Sequence, residues 1–179
     1  GRGGLAKPIK GGVYEVNELM CNDMYYAQRQ HVCNLGCIIA YELAMRIPGC
    51  RAFIADPVVV DEMEDVARIS GSPLMPRVPI WHALNQRAIA RRFARETGRR
   101  YEDLNLIVCH MGGGITVAAH RQGRAVDVNN GLDGEGPFSP ERSGSLPTDA
   151  VMKLCFSGDY TEAELRKMFV GRGGLVAYA

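Results

Sequence analysis

Three consecutive glycines, Gly112, Gly113 and Gly114, carry the strongest chemical signal in this chain of 179 residues. An apolar segment, 106–109, leads through a His-Met pair into them, and a second, 115–119, leaves them at once. Glycine permits φ values that other residues do not hold, so a tight reversal is expected here. Bare N–H groups at such a turn cradle phosphate. The pattern predicts a phosphorylated ligand, with a plain hairpin as the alternative. It does not satisfy GxGxxG, which disfavours a dinucleotide site.

Two arginines in glycine-rich surroundings are candidates to hold anionic groups. Arg2 lies in Gly-Arg-Gly-Gly and Arg142 lies in Pro-Glu-Arg-Ser-Gly. Guanidinium groups match the geometry of carboxylate and phosphoryl oxygens, and phosphoryl transfer depends on positioning and cationic groups. An arginine taken alone is usually a surface residue. The flanking glycines favour a functional role for both.

Three further side chains stand where ligand groups are often found. Asp56 follows a short apolar run, and the end of a strand is where α/β folds place such groups. Its alternative interpretation is a turn residue beside Pro57. His82 begins a predicted helix and His110 precedes the glycines, so each has a structural alternative, as a helix-start residue and as a loop-fixing residue.

The elements that must position these residues follow from local patterns. Strands are predicted at 13–16 and 52–55, and three more at 106–111, 115–121 and 124–128, the last two joined by a hairpin at 121–123. Six helices are predicted. The first runs from Asn17 to about Gln28, the second begins after Asn34 as its cap, and the third runs from Asp61 to about Ser70. The other three lie at 82–97, 148–156 and 162–169. Asp61 with Glu64 and Thr161 with Glu164 have the spacing of capping boxes.

The helix at 82–97 carries a row of arginines. Ile89, Phe93 and Ala94 are predicted to face inward. The arginines are predicted to form a largely solvated face, with nucleic-acid binding as a remote alternative; they are Arg87, Arg91, Arg92 and Arg95.

Composition excludes several classes of protein. Hydrophobic residues make up 46% and charged residues 23%, and the net charge is only +1, which gives no support to a nucleic-acid surface. No apolar run reaches the roughly 20 residues of a membrane span, and no signal peptide is visible. A cytoplasmic location is expected, without nucleic-acid or membrane partners.

Cysteine usage agrees with a reducing compartment. The six cysteines form no CxxC pair. Cys33 and Cys37 lie near His31, so a metal site is one interpretation; buried apolar thiols are the favoured one.

Strands that alternate with helices, followed by a glycine-turned hairpin, predict an α/β fold. The predicted division places one domain part at 1–60 and a second at 61–179. The long polar loop 129–146 holds Asp133, Glu135 and Arg142 and is predicted to be functional. Both ends of the chain read as cuts through a longer protein.

With these residues assembled, the chain resembles the acetate and butyrate kinase family. Four motifs match in order at plausible separations: Asp56–Glu62, Trp81–Asn85, His110–Thr116 and Asp133–Arg142. The resemblance covers essentially the whole chain, and four ordered motifs are far more specific than one glycine turn.

The resemblance implies an acetate-kinase-like fold of the actin, hexokinase and Hsp70 superfamily, with nucleotide in a cleft between two ribonuclease-H-like domains. Residues 1–60 would be the C-terminal part of the first domain and 61–179 the N-terminal part of the second. The intact protein would transfer phosphoryl reversibly between ATP and butyrate or isobutyrate, giving ADP and an acyl phosphate with Mg²⁺ as cofactor. It would be a homo-oligomer, and this chain alone would be inactive.

The resemblance also implies roles for individual residues. Arg2 would hold the substrate carboxylate and Arg142 would brace the phosphoryl group. Asp56 would act on Mg²⁺, directly or through water, and His82 would hydrogen-bond the phosphoryl group. The remaining candidates are nucleotide-phosphate residues, His110, Gly112, Gly113, Gly114 and Thr116, and substrate residues, Arg2, Gly3, Gly4, His31 and Trp81. Gly3 and Gly4 would leave room for a four-carbon chain, and Trp81 would form an apolar wall.

One position departs from the family. Gln30 stands where relatives have the first of two histidines, and His31 keeps the second; glutamine donates a hydrogen bond but carries no charge. A noncatalytic, nucleotide-binding remnant of the same fold is therefore the alternative function. A sugar kinase or chaperone-type ATPase is disfavoured, because segments 56–62 and 136–142 belong to neither group.

Overall fold

The computed structural model describes residues 4, 7–27 and 30–179. In chain order the elements are β1 (Val13–Glu15), α1 (Glu18–Tyr25), α2 (Leu35–Arg46), β2 (Phe53–Ala55), α3 (Ala83–Glu96), β3 (Asn105–Met111), β4 (Ile115–Arg121), β5 (Arg124–Val128), α4 (Thr148–Cys155) and α5 (Glu162–Phe169). Short 3₁₀ turns occupy Val32–Asn34, Asp65–Arg68, Tyr101–Asp103 and Gly174–Tyr178. The mixture of helices and strands agrees with the predicted α/β class.

The first part of the chain forms a two-stranded antiparallel sheet, β1–β2, covered by two helices. Asn17 begins α1 as predicted, since its side chain accepts a hydrogen bond from the Met20 N–H at 2.9 Å. Apolar side chains from the strands and both helices form one core, whose buried members are Val16, Cys21, Met24, Cys37, Ile38, Ala52 and Ile54.

The second part of the chain forms an antiparallel sheet in the order β3–β4–β5. Side chains on β3 and β4 alternate in burial, as expected for a sheet with one face covered. Helix α3 packs on this sheet through its small residues, and Ala90 and Ala94 contact Tyr101 and Leu104. The turn between β3 and β4 places the three glycines at one end of the sheet.

The segment after β2 connects the two parts. Val60 is fully buried and forms a parallel bridge with Ile9. Trp81 donates from its backbone N–H to the carbonyl of Val58 at 3.1 Å and from its indole N–H to Val60 at 2.8 Å. The predicted domain boundary at 60/61 falls within this firmly bonded segment and stays a prediction.

One predicted helix start and one predicted helix cap are wrong. Asp61 does not cap a helix; only the turn Asp65–Arg68 forms there, and the Asp61 carboxylate pairs instead with Arg68 at 2.7 Å. Asn34 makes no side-chain cap on α2, because a 3₁₀ turn precedes that helix and His31 accepts from the Cys33 N–H instead. The capping box of Thr161 and Glu164 is confirmed at α5.

The orientation predicted for helix α3 is partly wrong. Ala94 is buried, but Ile89 and Phe93 are half exposed. Arg87 lies in the interior, whereas its neighbour Arg91 is half exposed. The reason is electrostatic, since two acidic side chains described below draw the Arg87 guanidinium inward.

No helix within the described part of the chain has both the length and the apolar character needed to cross a membrane. All six cysteines lie in that part, and none forms a disulfide.

Candidate active site

The glycine turn has a different physical basis from the one predicted. None of Gly112, Gly113 and Gly114 has a positive φ, so the turn does not require the left-handed conformation. Met111 and Ile115 still pair across it, and the Gly112 N–H donates to the Gly114 carbonyl at 3.2 Å. The turn therefore needs glycine for a reason other than backbone conformation.

That reason is the close approach of two side chains to Gly114. A Cβ atom on Gly114 would collide with Nη1 of Arg142 and would lie 3.3 Å from Cε1 of His82. A Cβ on Gly112 would lie 3.1 Å from Nε2 of His110, while one on Gly113 would meet nothing within 4 Å. The absence of a side chain at Gly114 thus allows a guanidinium and an imidazole to meet at the turn.

The loop 129–146 holds Arg142 against the turn. Ser139, which is buried, donates from its hydroxyl to the Gly113 carbonyl at 2.7 Å and accepts the Arg142 backbone N–H at 3.1 Å. The Arg142 side chain donates to the Gly131 carbonyl at 2.5 Å. These contacts agree with the interpretation that the loop is not a simple spacer, and its functional role stays a prediction.

His82 precedes α3 and is held by two kinds of contact. Its Nδ1 lies 2.9 Å from the Thr116 hydroxyl. Its ring stacks on that of His110, with centroids 3.7 Å apart and planes 8° apart. His110 is in turn bonded through Nδ1 to the Asn85 side chain at 2.8 Å. The first turn of α3 and the end of β3 therefore fix two adjacent imidazoles.

The contact of Thr116 with nucleotide phosphate stays a prediction, and the structure shows its hydroxyl bonded to other residues of the site. The residue is fully buried, and its hydroxyl faces His82 and Gln86. The alternation of side chains along β4 turns Thr116 toward the interior. It supports the site from behind.

Behind Thr116 lies a group of buried polar side chains. Gln86 donates to the Thr116 carbonyl at 3.0 Å and lies 3.1 Å from His120, whose Nδ1 lies 2.5 Å from the Tyr101 hydroxyl. Burial, with a contribution from the nearby Arg87, lowers the pKa of His120 from 6.5 to about 4. Burial also raises the pKa of Tyr101 to about 12, so both side chains are neutral near pH 7.

Asp56 is buried in a left-handed backbone conformation, φ +38°, and its carboxylate is surrounded by donors. It accepts the Gly12 N–H at 2.8 Å and pairs with Nε of Arg87 at 3.0 Å and with Arg91 at 3.3 Å. Arg87 also pairs with buried Glu62 at 2.8 Å. These contacts make Asp56 part of a buried ion cluster.

The described residues offer limited means of holding a divalent metal. No group of three or more His, Cys, Asp or Glu side chains suited to a metal occurs among them. Magnesium is often bound through one carboxylate, several waters and substrate phosphates. Oδ1 of Asp56 is held by Gly12 and Arg87. Asp56 therefore fits such a site only through Oδ2, whose neighbour is the half-exposed Arg91.

Two cavities bring the predicted site residues together around His82. The first, of about 210 Å³, is lined by Asp56, His82 and the first turn of α3. The second, of about 70 Å³, has both polar and apolar lining residues, which are His31, Cys33, Val58, Ile80, Trp81, His82, Gly131, Leu132 and Arg142. Asp56, His82 and Arg142 therefore converge, as do His31 and Trp81.

The N-terminal candidates have mixed outcomes. Arg2 and Gly3 lie outside the described residues. Gly4 does not line the small cavity: its φ is +78°, and a side chain there would meet Cα of Asn34 at 2.6 Å and Sδ of Met24 at 2.7 Å. Its lack of a side chain allows Asn34 and Met24 to pack closely against it, and its role in making room for substrate stays a prediction.

Gln30 does not point toward the site. Its side-chain amide donates to the carbonyls of Tyr25 at 3.1 Å and Ala27 at 3.0 Å, beyond the end of α1. His31 lines the small cavity, and its Nδ1 accepts the Cys33 N–H at 3.2 Å and lies 2.9 Å from that residue's sulfur. The glutamine thus acts on local structure, and the adjacent histidine reaches the site.

A larger groove lies on the other side of loop 129–146. Its volume is about 790 Å³, and it lies between that loop and helices α4 and α5. It shares Leu132 with the small cavity but contacts neither His82 nor the glycine turn. The volume alone does not mark the site, because the convergent polar groups lie at the smaller cavities.

Several residues of the site were not singled out from the sequence. Gln86 holds Thr116, which contacts His82; Asn85 and Ser139 hold His110 and Arg142, and Arg87 pairs with Asp56. A local signal in the sequence existed for Asn85 and Gln86, since both lie about one helical turn after His82, the residue that precedes α3. Ser139 gave no such signal.

Comparison with known proteins gives a consistent result. A family model described as the acetokinase family matches residues 80–179. A probable butyrate kinase of Bacteroides thetaiotaomicron is 64% identical over 178 residues, covering 99% of this chain and 50% of the relative. Butyrate kinase 2 of Clostridium acetobutylicum is 60% identical over 179 residues, with the same two coverages. The chain spans about half the length of these curated relatives.

Solved structures agree in fold. An acetate kinase of Porphyromonas gingivalis matches with a TM-score of 0.77 at 20% identity, over 96% of this chain and 47% of that one. A propionate kinase of Francisella tularensis matches with a TM-score of 0.71 at 17% identity, over 94% and 46%. The predicted acetate-kinase-like α/β fold is confirmed.

Proposed function

This chain belongs to the acetokinase family, and on that premise we propose that it is part of a short-chain carboxylate kinase acting on butyrate or isobutyrate. The intact protein would transfer the γ-phosphoryl group of ATP to the acid and reverse the reaction. Two similar proteins that carry the name butyrate kinase support this substrate class.

The observation that supports it most is the composition of the 70 Å³ cavity. Its lining includes the polar side chains of Arg142, His82 and His31 and the apolar side chains of Val58, Ile80 and Trp81. A short carboxylate has the same two kinds of group, a charged head and an apolar tail. The cavity is far smaller than the several hundred Å³ that a drug-sized or nucleotide ligand fills.

Phosphoryl transfer requires little covalent chemistry from the protein itself. A carboxylate oxygen attacks the γ-phosphorus, the bond from that phosphorus to the β–γ bridging oxygen breaks, and ADP leaves. Arg142 would neutralise charge on the phosphoryl oxygens, and His82 would donate a hydrogen bond to one of them. The backbone of the glycine turn at Gly113 and Gly114, next to His110, would contact the nucleotide phosphates, while the Gly112 N–H is given to the Gly114 carbonyl.

Asp56 has two parts in this proposal. Its ion cluster orients α3, whose first turn carries His82 and Asn85. Magnesium, when bound with ATP, would neutralise charge on the phosphates, and Asp56 would meet it through water at Oδ2. Arg2 would hold the substrate carboxylate, as the family resemblance implies.

A cytoplasmic enzyme is part of the same proposal. Six cysteines without a disulfide agree with a reducing compartment. The intact protein is proposed to be a homo-oligomer, as the family resemblance implies.

The test is a hydroxamate assay of acyl phosphate formation with acetate, butyrate and isobutyrate. The full-length protein is expected to have a higher kcat/KM for the two four-carbon acids than for acetate. Preference for acetate would contradict the substrate assignment. The 179-residue chain is expected to give no turnover, since it spans half of its relatives, and robust turnover by the chain alone would contradict that part.

The alternative is a noncatalytic protein that binds nucleotide. The half-length match favours it for this chain taken by itself. Nucleotide binding by calorimetry, with no acyl phosphate formed by the full-length protein, would support this alternative over the kinase.

A further inference from the structure

A continuous chain of buried hydrogen bonds runs from His82 into the interior. It passes through Thr116, Gln86 and His120 and ends at Tyr101. Thr116 and Gln86 are fully buried, and His120 and Tyr101 are nearly so. Buried polar groups of this kind normally have defined donors and acceptors, because an unmatched one is costly.

The orientation of the Gln86 amide is determined by its neighbours. Its Nε2 lies 3.0 Å from the Thr116 carbonyl oxygen, which can only accept. The reversed amide would place two acceptor oxygens against each other there. Oε1 of Gln86 therefore faces Nε2 of His120 at 3.1 Å, and His120 carries its hydrogen on Nε2.

His120 is consistent with that assignment at its other nitrogen. Its lowered pKa, about 4, leaves one ring proton near pH 7. With that proton on Nε2, Nδ1 accepts from the Tyr101 hydroxyl at 2.5 Å. From Tyr101 through His120 to Gln86, each hydrogen bond therefore has an assigned donor and acceptor.

The direction continues outward to Thr116. Gln86 gives its second amide hydrogen to the Thr116 hydroxyl oxygen at 2.9 Å, and the His82 backbone N–H points at the same oxygen at 3.5 Å. With both lone pairs engaged, the hydroxyl hydrogen is directed to Nδ1 of His82 at 2.9 Å. A neutral His82 then holds its proton on Nε2.

We propose that Gln86 is a positioning residue that acts through Thr116 to fix the tautomer of the neutral His82 imidazole, with its proton on Nε2. Such a ring presents an N–H donor on Nε2 and needs no positive charge to do so. The opposite tautomer would present a lone pair at Nε2, which repels an oxyanion. The catalytic use of this donor rests on the proposed function, whereas the tautomer does not.

The test is ¹⁵N NMR of the histidine rings in the 179-residue chain at neutral pH. Resonances are assigned with His82→Gln and His120→Gln. Pyridine-type Nδ1 and pyrrole-type Nε2 signals are expected for His82 and for His120. A protonated Nδ1 on His82 in the unsubstituted chain would overturn the proposal.

Two substitutions test the direction of the hydrogen bonds that lead from Gln86 through Thr116 to His82. Thr116→Val removes the hydroxyl donor and is expected to shift the His82 tautomer ratio roughly fivefold toward Nδ1–H, the effect of about one net hydrogen bond. Gln86→Glu, when ionised, accepts the Thr116 hydroxyl hydrogen, so that the hydroxyl oxygen accepts from His82 and Nδ1–H becomes the main form. Thr116→Ser, which keeps the hydroxyl, is expected to leave His82 unchanged.

His120 is the internal control. In Thr116→Val its Nε2–H pattern is expected to persist, because the Thr116 backbone carbonyl still orients Gln86. A purely structural role for Thr116 would alter stability without changing the His82 ratio, and an unchanged ratio in both Thr116→Val and Gln86→Glu would overturn the proposal. Since no nucleotide or acid is present, a failure of the kinase assignment would leave this result unaffected.

Discussion

The imidazole of His82 lies face to face with that of His110, at a centroid distance of 3.7 Å. One ring comes from the residue before α3 and the other from the end of β3, so the stack joins the helix to the glycine turn. Asn85 fixes the outer ring and Thr116 the inner one. The orientation of His82 therefore depends on a neighbour that need not touch substrate.

Replacement of His110 tests the part played by the stack. His110→Ala is expected to lower kcat of the full-length protein about tenfold or more, because a loosened His82 is misplaced. His110→Phe keeps a flat ring and is expected to retain most of the activity, within about threefold of wild type. Both are measured by the hydroxamate assay. Equal losses in the two variants would show that His110 acts through its nitrogens.

The glycine turn gives a matched pair of substitutions. Gly114→Ala places a methyl group against Arg142 and His82, so we expect kcat/KM to fall by about 10²-fold as the guanidinium moves. Gly113→Ala has open space around its new atom and is the control, expected to change the same constant less than about threefold. A similar loss at both positions would contradict the steric account of the turn.

The buried ion cluster predicts unequal effects on stability along α3. Arg87→Met leaves Asp56 and Glu62 buried without their shared cation and is expected to lower the free energy of unfolding by about 3–5 kcal/mol. Arg92→Ala removes only an exposed pair with Glu96 and is expected to change it by less than about 1 kcal/mol. Urea denaturation of the 179-residue chain measures both. Similar midpoints for these variants would contradict the burial of Arg87.

Burial of His120 predicts a pH dependence of stability. Its pKa is about 4 in the folded chain and close to 6.5 when unfolded, so the unfolded state binds more protons between these values. Stability from this group is complete above pH 6.5 and is lost as the pH falls toward 4, by at most roughly 3 kcal/mol. Urea denaturation at several pH values should therefore show a steeper acid decline in wild type than in His120→Gln.

His31→Gln is the control for that comparison. Its ring is exposed in the folded chain, so we expect this variant to keep the wild-type slope. If His120→Gln and wild type lose stability in parallel between pH 6.5 and 4, the burial of a neutral His120 is contradicted.

Local patterns were sufficient where short-range interactions decide the structure. The Asn17 cap, the capping box of Thr161 and Glu164 and the strands on either side of the glycines are present as predicted. Each of these features depends on residues a few positions apart. The Asp61 helix failed to form and Arg68 pairs with the Asp61 carboxylate, whereas α2 begins after Asn34 without a side-chain cap because a 3₁₀ turn precedes it.

The sequence predicted only part of the candidate site. Residue types pointed to Asp56, His82 and Arg142, and the fold brings these three to adjoining cavities. The inward turn of Arg87 was not predictable from helical periodicity, because Asp56 and Glu62 attract it from distant parts of the chain. Periodicity describes one helix face and contains no information about charges packed against it.

The sequence by itself determined the helices, the hairpin, the glycine turn and the residue types that suit an anionic ligand, because these depend on local backbone preference and side-chain chemistry. Only the tertiary structure decided why Gly114 must lack a side chain, which way Thr116 faces and how His82 is held. Those features arise where β4, α3 and loop 129–146 meet, and contacts between segments so far apart are fixed by packing.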